Sequence, residues 1–533
     1  MMSVENALWG VLYALIGARA LSVVIETRSF LVIPLSLATV LLLVRARRRE
    51  SLSVLALPVL LISLYALAPA HRRVELAACG VGSLAALALD AEQQASLRSA
   101  LTALAVLACA GMFFVACGRD YDATTALVQS GVVLLAHGGT LRLLRTVGDS
   151  FSRAELVCLS QMLSIVLVRA GYLSARAAAE LDVAARDAYW SSAAVRVECL
   201  LYAVAVGMFL IVVGCVPLLS YVQRLRLARR ARRARRRSQW RESAVLALAA
   251  AYAVFILLGV ITPPTSRVMR VNCWLWTLEN VLAERHRLLL LTWLALVLLA
   301  LAAPRRATWV PLTVRRKYFH LIALVALVPP ALLRSGPEAT AGLLTAASSS
   351  ALGRLASGVA LAALCALELA RFGKVAPAVE SFMRSFTDAR DSGQLIITHI
   401  YLLIGCAAPL WIDNRFDLHP MAAFTGLLIV GIGDAAASAV GSYAGRTKWP
   451  GAASKSVEGT LACFAATMLA ALALHAVQLH RGLPHIDGAD QWLRFAAATA
   501  LVCIMEAYMR DVDNLMLPIA YLLALFAFGC ILA

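Results

Sequence analysis

The stretch CLLYAVAVGMFLIVVGCVPLLSYVQ (residues 199–223), then RLRLARRARRARRRSQWR (224–241), then ESAVLALAAAYAVFILLGVI (242–261) decides the fold. Two apolar runs, each long enough to cross the roughly 30 Å hydrocarbon core of a bilayer as a helix, flank ten arginines with no acid among them. Arginine clusters also neutralise nucleic-acid phosphates. A run pinned between two membrane segments is instead expected to lie in a cytosolic loop against anionic lipid headgroups, so no nucleic-acid partner is expected. Similar apolar segments recur outward in both directions, at roughly 5–25, 29–44, 52–70, 74–90, 101–117, 123–140 and 155–172 before this stretch. After it they fall at roughly 287–303, 318–334, 341–370, 395–412, 421–443, 458–479, 493–509 and 514–533. The expected fold class is therefore all-α: a polytopic integral membrane protein with roughly 13–17 transmembrane helices.

Composition agrees. Of 533 residues, 61% are apolar and only 15% charged, which excludes a water-soluble enzyme, a secreted disulfide scaffold and a disordered chain. The twelve cysteines, Cys109, Cys117, Cys365 and Cys406 among them, sit mostly in apolar segments and never form C-x-x-C, so they read as small buried hydrophobes rather than metal or redox sites. The N-terminus has Glu5 and an apolar run to about Ile25 without a cleavage-site pattern, and reads as a retained first span.

Two regions differ in character. Residues 1–300 form an N-terminal multi-span membrane region with no polar constellation assignable to chemistry. Residues 301–533 place Asp, Glu, Lys, Asn and His beside or inside spans, where they are costly and usually functional. Basic loops at Arg45–Arg49, at Arg224–Arg241 and at Arg305–Lys317 set the orientation by the positive-inside rule. Counting spans onward puts Arg371–Gln394, Gly445–Lys455 and Arg510–Asn514 on the same cytosolic face.

Those stretches carry the candidate chemistry. In RSFTDARDSG, Asp388 and Asp391 lie three residues apart, on one face if helical. Such a pair can hold Mg²⁺ together with substrate phosphates, or take a proton from an alcohol; a solvated loop with a capping Asp is the alternative. In GIGDAAASAVGSYAGRTKWPGAASKSVEGT, Asp434 is a carboxylate within an otherwise uncharged span. Small residues explain close helix packing but not that acid. The following glycine-rich stretch could wrap phosphates with backbone N–H groups while Arg446, Lys448 and Lys455 neutralise them. It has no G-x-x-x-x-G-K-[ST], and a purely topogenic loop is the alternative. In EAYMRDVDNLMLP, Glu506, Asp511, Asp513 and Asn514 bracket entry to the last span, where Asp513 and Asn514 can equally serve as helix caps. In RRKYFH, Arg316 and Lys317 can simply snorkel to the interface. His320, just inside the apolar region, is harder to dismiss, and His399 is similarly placed.

Taken in order and spacing, RKYFH, DARDSG, THIYLLIG, PLW, GDAAAS, GSYAGRTKWPG, EGT and DNLMLP resemble the C-terminal half of the dolichol kinase family, over roughly residues 310–520. The resemblance implies an endoplasmic-reticulum membrane enzyme, multi-pass, with its active site facing the cytosol. It implies transfer of the γ-phosphoryl of CTP to the terminal hydroxyl of dolichol, with Mg²⁺ or another divalent cation, to make dolichyl phosphate for protein glycosylation. Carried onto matching positions, it implicates Asp388, Asp391, Asp434 and His320 in catalysis. It places Arg316, Lys317, Ser392, Gly393, Gly433, Arg446, Lys448, Trp449, Pro450, Gly451, Lys455, Glu458, Gly459 and Asn514 in nucleotide binding, and Asp434, Asp388 and Asp513 in metal binding. Two departures stand out: Ser454 and Lys455 replace the family's paired lysines after W-P-G, and MRDV precedes Asp513. The alternatives are a CTP-dependent kinase of another lipid alcohol such as phytol or diacylglycerol, a membrane cytidylyltransferase, and, among non-enzymes, an ion-coupled transporter using Asp434 and His399.

Overall fold

A computed structural model describes residues 4–27, single positions and short runs between 151 and 166, and then 193–231, 235–283, 286–302, 312–332, 349–384, 387, 394–416, 420–480, 485–509 and 513–530. The segments expected between 29 and 140 lie outside the described residues. The described part is almost wholly helical: α1 Val4–Thr27, α2 Ala193–Ala231, α3 Arg235–Val254, α4 Thr262–Met269, α5 Cys273–Leu282, α6 Arg287–Ala302, α7 Leu312–Leu332, α8 Ser349–Phe372 and α9 Pro377–Arg384. The order continues with α10 Thr398–Phe416, α11 Pro420–Gly426, α12 Asp434–Tyr443, a small hairpin of β1 Lys448–Trp449 and β2 Ala452–Ser456, then α13 Val457–His480, α14 Gly488–Tyr508 and α15 Asp513–Ala527. Two π-helical segments, Phe255–Ile261 and Leu427–Gly433, join α3 to α4 and α11 to α12.

Among the described residues five helices are long and apolar enough to cross a membrane: Val195–Leu227, Trp240–Met269, Ala351–Phe372, Met421–Tyr443 and Val457–His480. Shorter apolar helices, including Arg287–Leu299, Thr398–Ile412 and Asn514–Ala527, pack between or beside them. This is a multi-pass, all-α membrane protein. The segment expected at 243–261 is longer than the apolar run suggested, because the helix continues through Thr262 to Met269.

The largest apolar cluster is built by α10, α11 with its π segment, α13, α14 and α15, joined by Trp9, Leu12, Tyr13 and Ile16 of α1. At its centre is α15, apolar on every side, as a helix enclosed by neighbours must be; Leu517, Ala520, Tyr521 and Leu523 have no exposed surface. The polar tip of Tyr521 is satisfied by Thr499 Oγ1 at 2.6 Å. A hydroxyl buried without such a partner would cost about 1–3 kcal/mol. Two further clusters form where α2 meets α5 and the start of α8, and where it meets α3 and the end of α8.

Gly405, the last residue of THIYLLIG, explains how α10 and α15 come so close. A Cβ placed there would fall on the main-chain carbonyl oxygen of Asn514, and one at Gly426 would meet the main chain of Gly405 and Cys406. Three backbones thus converge through two glycines, the small-residue packing that membrane helices use in place of a water-driven hydrophobic effect. Gly405→Ala is expected to cost about 1–3 kcal/mol by overpacking, read as a lower thermal unfolding midpoint in detergent. An unchanged midpoint would mean that α10 and α15 separate freely.

Candidate functional site

Asp434 opens α12 directly after the π segment Leu427–Gly433, and its backbone N–H reaches back five residues to the Ile429 carbonyl. The extra residue in this wide turn rotates the residues after it relative to a continuous α-helix, and such π segments are frequent at functional sites. The segment lies tight against α13. A Cβ at Gly433 would stand 2.7 Å from Thr467 Oγ1 and 2.9 Å from Cys463 Sγ, so only glycine fits without displacement. Asp434 itself is 2% exposed. A carboxylate buried so deeply needs counter-charge, and α7 supplies it: Lys317 Nζ forms an ion pair with Asp434 Oδ2. One helical turn further along α7, His320 Nδ1 lies 3.8 Å from the same oxygen and 2.6 Å from the Val430 carbonyl. Because a carbonyl only accepts, Nδ1 carries the proton and donates it to Val430.

The basic stretch after α12 folds as an antiparallel hairpin rather than a loop. Trp449 faces Ala452 and Lys448 faces Ser456. Pro450 and Gly451 form the two-residue turn, and Gly451 has φ +81°, which is what a type II turn asks of its third position. The hairpin is pinned to the start of α13 at several points. Thr447 N–H donates to both Glu458 carboxylate oxygens at 2.9 and 3.2 Å. Trp449 Nε1 donates to Thr460 Oγ1 at 2.9 Å, and its ring tilts over Tyr508 at 5.7 Å. Ser456 Oγ accepts from Gly459 N–H at 3.1 Å, capping α13. Glu458 and Trp449 therefore hold the hairpin in place, while Arg446, Lys448 and Pro450 stand exposed upon it.

Lys455, on β2, turns inward. Its ammonium pairs with Glu506 Oε1 near the end of α14 and lies within Coulombic reach of Asp434. Glu506 is 1% exposed, and the Lys455 side chain 27%. The structure thus brings together Lys317, His320, Gly433, Asp434, Lys455 and the hairpin, from three parts of the chain, at one end of the helix bundle. Arg316 lies on the same first turns of α7 as Lys317. Asn514 is buried, with its main chain against Gly405. Asp513 begins α15. Asp388, Asp391, Ser392 and Gly393 lie outside the described residues. His399 packs edge-on against Phe319 at 5.1 Å.

Sequence reading noted Glu506 beside the last span but did not assign it to the site. The signal was available: a carboxylate within an apolar run, as at Asp434. The roles of Thr447, Ser456 and Thr460 as hairpin anchors had no such signal, because neutral hydroxyls at a membrane interface are unremarkable until a partner is seen. Among the described residues no group of three or more His, Cys, Asp or Glu forms a metal cluster by itself.

Two buried carboxylates and a buried histidine, with two partly buried ammonium groups, make a site whose charges balance internally. It lies beside a hairpin that carries the exposed Arg446 and Lys448. The chain is 33% identical over 294 residues to the dolichol kinase of Homo sapiens, covering 51% of this chain and 50% of that one. Over this stretch it is similar to dolichol kinases. It is 32% identical over 256 residues to the dolichol kinase EVAN of Arabidopsis thaliana, covering 46% of this chain and 42% of the relative. The dolichol kinase sec59 of Schizosaccharomyces pombe matches at 35% over 156 residues, 28% of this chain and 29% of that one. The matches to the human and plant relatives span about half of those proteins' length. No family model matches the chain, and no solved structure does.

Proposed function

We propose that this protein transfers the γ-phosphoryl group of CTP to the terminal hydroxyl of dolichol, at the cytosolic face of the endoplasmic-reticulum membrane. Residues 301–533 form the catalytic region. The observation that carries the reading is the joining of Lys317 and His320 to Asp434, more than a hundred residues further along the chain, beside the Lys455–Glu506 pair and the hairpin. Phosphoryl transfer asks a protein for positioning and charge neutralisation more than for covalent chemistry, and this arrangement offers both.

In the proposed reaction the dolichol oxygen attacks the γ-phosphorus, the bond from that phosphorus to the β–γ bridging oxygen breaks, and CDP leaves. The hydroxyl proton passes to a carboxylate, for which Asp391 is the candidate. Lys317 and Lys455 hold two partly buried ammonium groups where phosphate oxygens can replace carboxylates as partners, and Arg446 and Lys448 on the exposed hairpin add charge at its rim. His320, its Nδ1 proton committed to Val430, is fixed in orientation beside Asp434. The donor set suits magnesium, a hard cation that takes carboxylate oxygens together with substrate phosphates. Asp434 would hold it, with Asp388 and Asp513 as the further carboxylates of the resemblance. Bound there, the ion supplies charge neutralisation on the phosphates. The acceptor's isoprenoid chain would lie among membrane helices, its hydroxyl at the polar end of the bundle.

The test is transfer from γ-labelled CTP, with Mg²⁺, to dolichol by the purified protein in detergent, with the nucleotide product identified. Labelled dolichyl phosphate with release of CDP is expected. Release of pyrophosphate would instead mean nucleotidyl transfer. Labelling of other lipid alcohols but not dolichol would reassign the acceptor.

A further inference from the structure

The last turn of α8 is fastened to α2. Gln223 Nε2 donates to the Phe372 carbonyl at 2.6 Å, and Arg226 Nη1 to the Gly373 carbonyl at 2.7 Å, across nearly 150 residues of sequence. Helix C-termini leave carbonyls without intrahelical partners and carry partial negative charge, so a guanidinium from a neighbouring helix is a well-matched cap. Arg226 is itself held by Glu242 of α3 at 2.5 Å. Gly373 permits the approach, since a Cβ there would stand 2.7 Å from Leu219 of α2. The turn ends at Lys374 with φ +51°, a left-handed conformation that a lysine does not choose unaided.

The same turn of α8 grips the chain where it returns to the bundle. Arg371 forms a two-point pair with Glu368 at 2.6 and 2.8 Å and donates to the Gln394 carbonyl at 2.5 Å. Glu368 accepts from Ile396 N–H at 2.7 Å. Both side chains of this pair are buried. Leu395 packs into the apolar cluster of Ile211, Cys215, Val216, Leu219 and Phe372. Two residues past Ile396 begins α10, whose His399 meets the Phe319 ring between Lys317 and His320. Departure of the chain at Gly373 and Lys374 and its return at Gln394 and Ile396 are therefore set on one turn of one helix, and α2 fixes that turn.

We propose that Gln223 and Arg226 are positioning residues for the phosphoryl-transfer site, acting from the N-terminal region through the end of α8 on the start of α10. Arg226 thus leaves the lipid-facing basic run in which sequence places it and serves as an internal clamp. The inference rests on the phosphoryl-transfer reading, which supplies the activity to be positioned.

Two measurements on the full-length protein test it. The first is steady-state kinetics of Arg226→Gln/Glu242→Gln, a double change that removes the ion pair without stranding either charge. A fall in kcat of about tenfold with KM for CTP within about twofold is expected, since misplacement by an ångström costs up to about a hundredfold. Arg226→Lys, which keeps the charge but not the forked geometry, should recover part of it, and Gln223→Ala should give a smaller loss in the same direction. The second does not depend on activity: maleimide labelling of Ile396→Cys, at a position 3% exposed whose N–H is held by Glu368, read as the increment over the parent protein, with and without the Arg226/Glu242 double change. Labelling at least about threefold faster in the double variant is expected if the clamp governs local opening. An unchanged labelling rate overturns the clamp whether or not kcat falls, and an unchanged kcat overturns its role in positioning. A parent protein that transfers no phosphoryl group overturns the functional reading instead, and the labelling still decides the clamp.

Discussion

Asp434→Asn should reduce phosphoryl transfer by about a thousandfold, the scale on which loss of one preorganised charged group is felt at a reacting phosphate or carbonyl. The amide keeps the shape of the carboxylate, so the π segment and its contact with Thr467 and Cys463 stay as they are, and the protein should remain folded. What disappears is the negative charge that the Lys317 ion pair neutralises and that lies 3.8 Å from His320. Because Lys317 and Asp434 act as a unit, Lys317→Met/Asp434→Asn should be little worse than Asp434→Asn alone, whereas independent contributions would multiply. The check is the initial rate with γ-labelled CTP and dolichol, beside the thermal unfolding midpoint of each variant. Retention of more than about a tenth of the activity in Asp434→Asn would remove this carboxylate from the reaction's centre.

How much of this was legible in the sequence differs from residue to residue. The helices at Met421–Tyr443 and Val457–His480 lie almost where continuous apolar runs put them, because twenty apolar residues in lipid have one backbone solution that satisfies every N–H and C=O. Asp434 was visible for the complementary reason: a carboxylate in such a run is too costly to be idle. Its partners were named but not joined to it. Lys317 is 117 residues away, and no spacing rule links the second turn of α7 to the first of α12. The π segment before Asp434 leaves no trace in hydropathy, since a shift of hydrogen bonding by one residue changes no composition. The glycine-rich stretch after it was read as a wrapping loop; the Pro450–Gly451 turn signal was present, but strands of two and five residues are too short for alternation to show. At ten residues α5 falls below the length of a span and was not expected. Arg226 was hidden by its neighbours: in a run of ten arginines, nothing in the sequence marks this guanidinium as facing a helix end.

The Lys455–Glu506 pair should respond asymmetrically to losing one side or the other. Glu506 is almost wholly enclosed, whereas the Lys455 side chain retains 27% of its exposure. Lys455→Met takes from an enclosed carboxylate the ammonium that neutralises it, a change that typically costs about 3–5 kcal/mol. Glu506→Gln leaves an ammonium with a path to water and an amide oxygen still in reach, so its cost to stability should be smaller. The order in activity follows from position rather than burial. Lys455 is the inward-facing cation of the hairpin, and either variant should raise KM for CTP by about tenfold or more, as loss of a charge-assisted contact worth about 1.5–3 kcal/mol requires. In Lys455→Met/Glu506→Gln, which removes both charges together, the stability cost should fall below that of Lys455→Met while the CTP defect persists. Unfolding midpoints and CTP saturation curves for the three variants provide the comparison. If Glu506→Gln proved the most destabilised, or if its KM for CTP were unchanged, Glu506 would be a packing residue and not the group that holds Lys455 to its task.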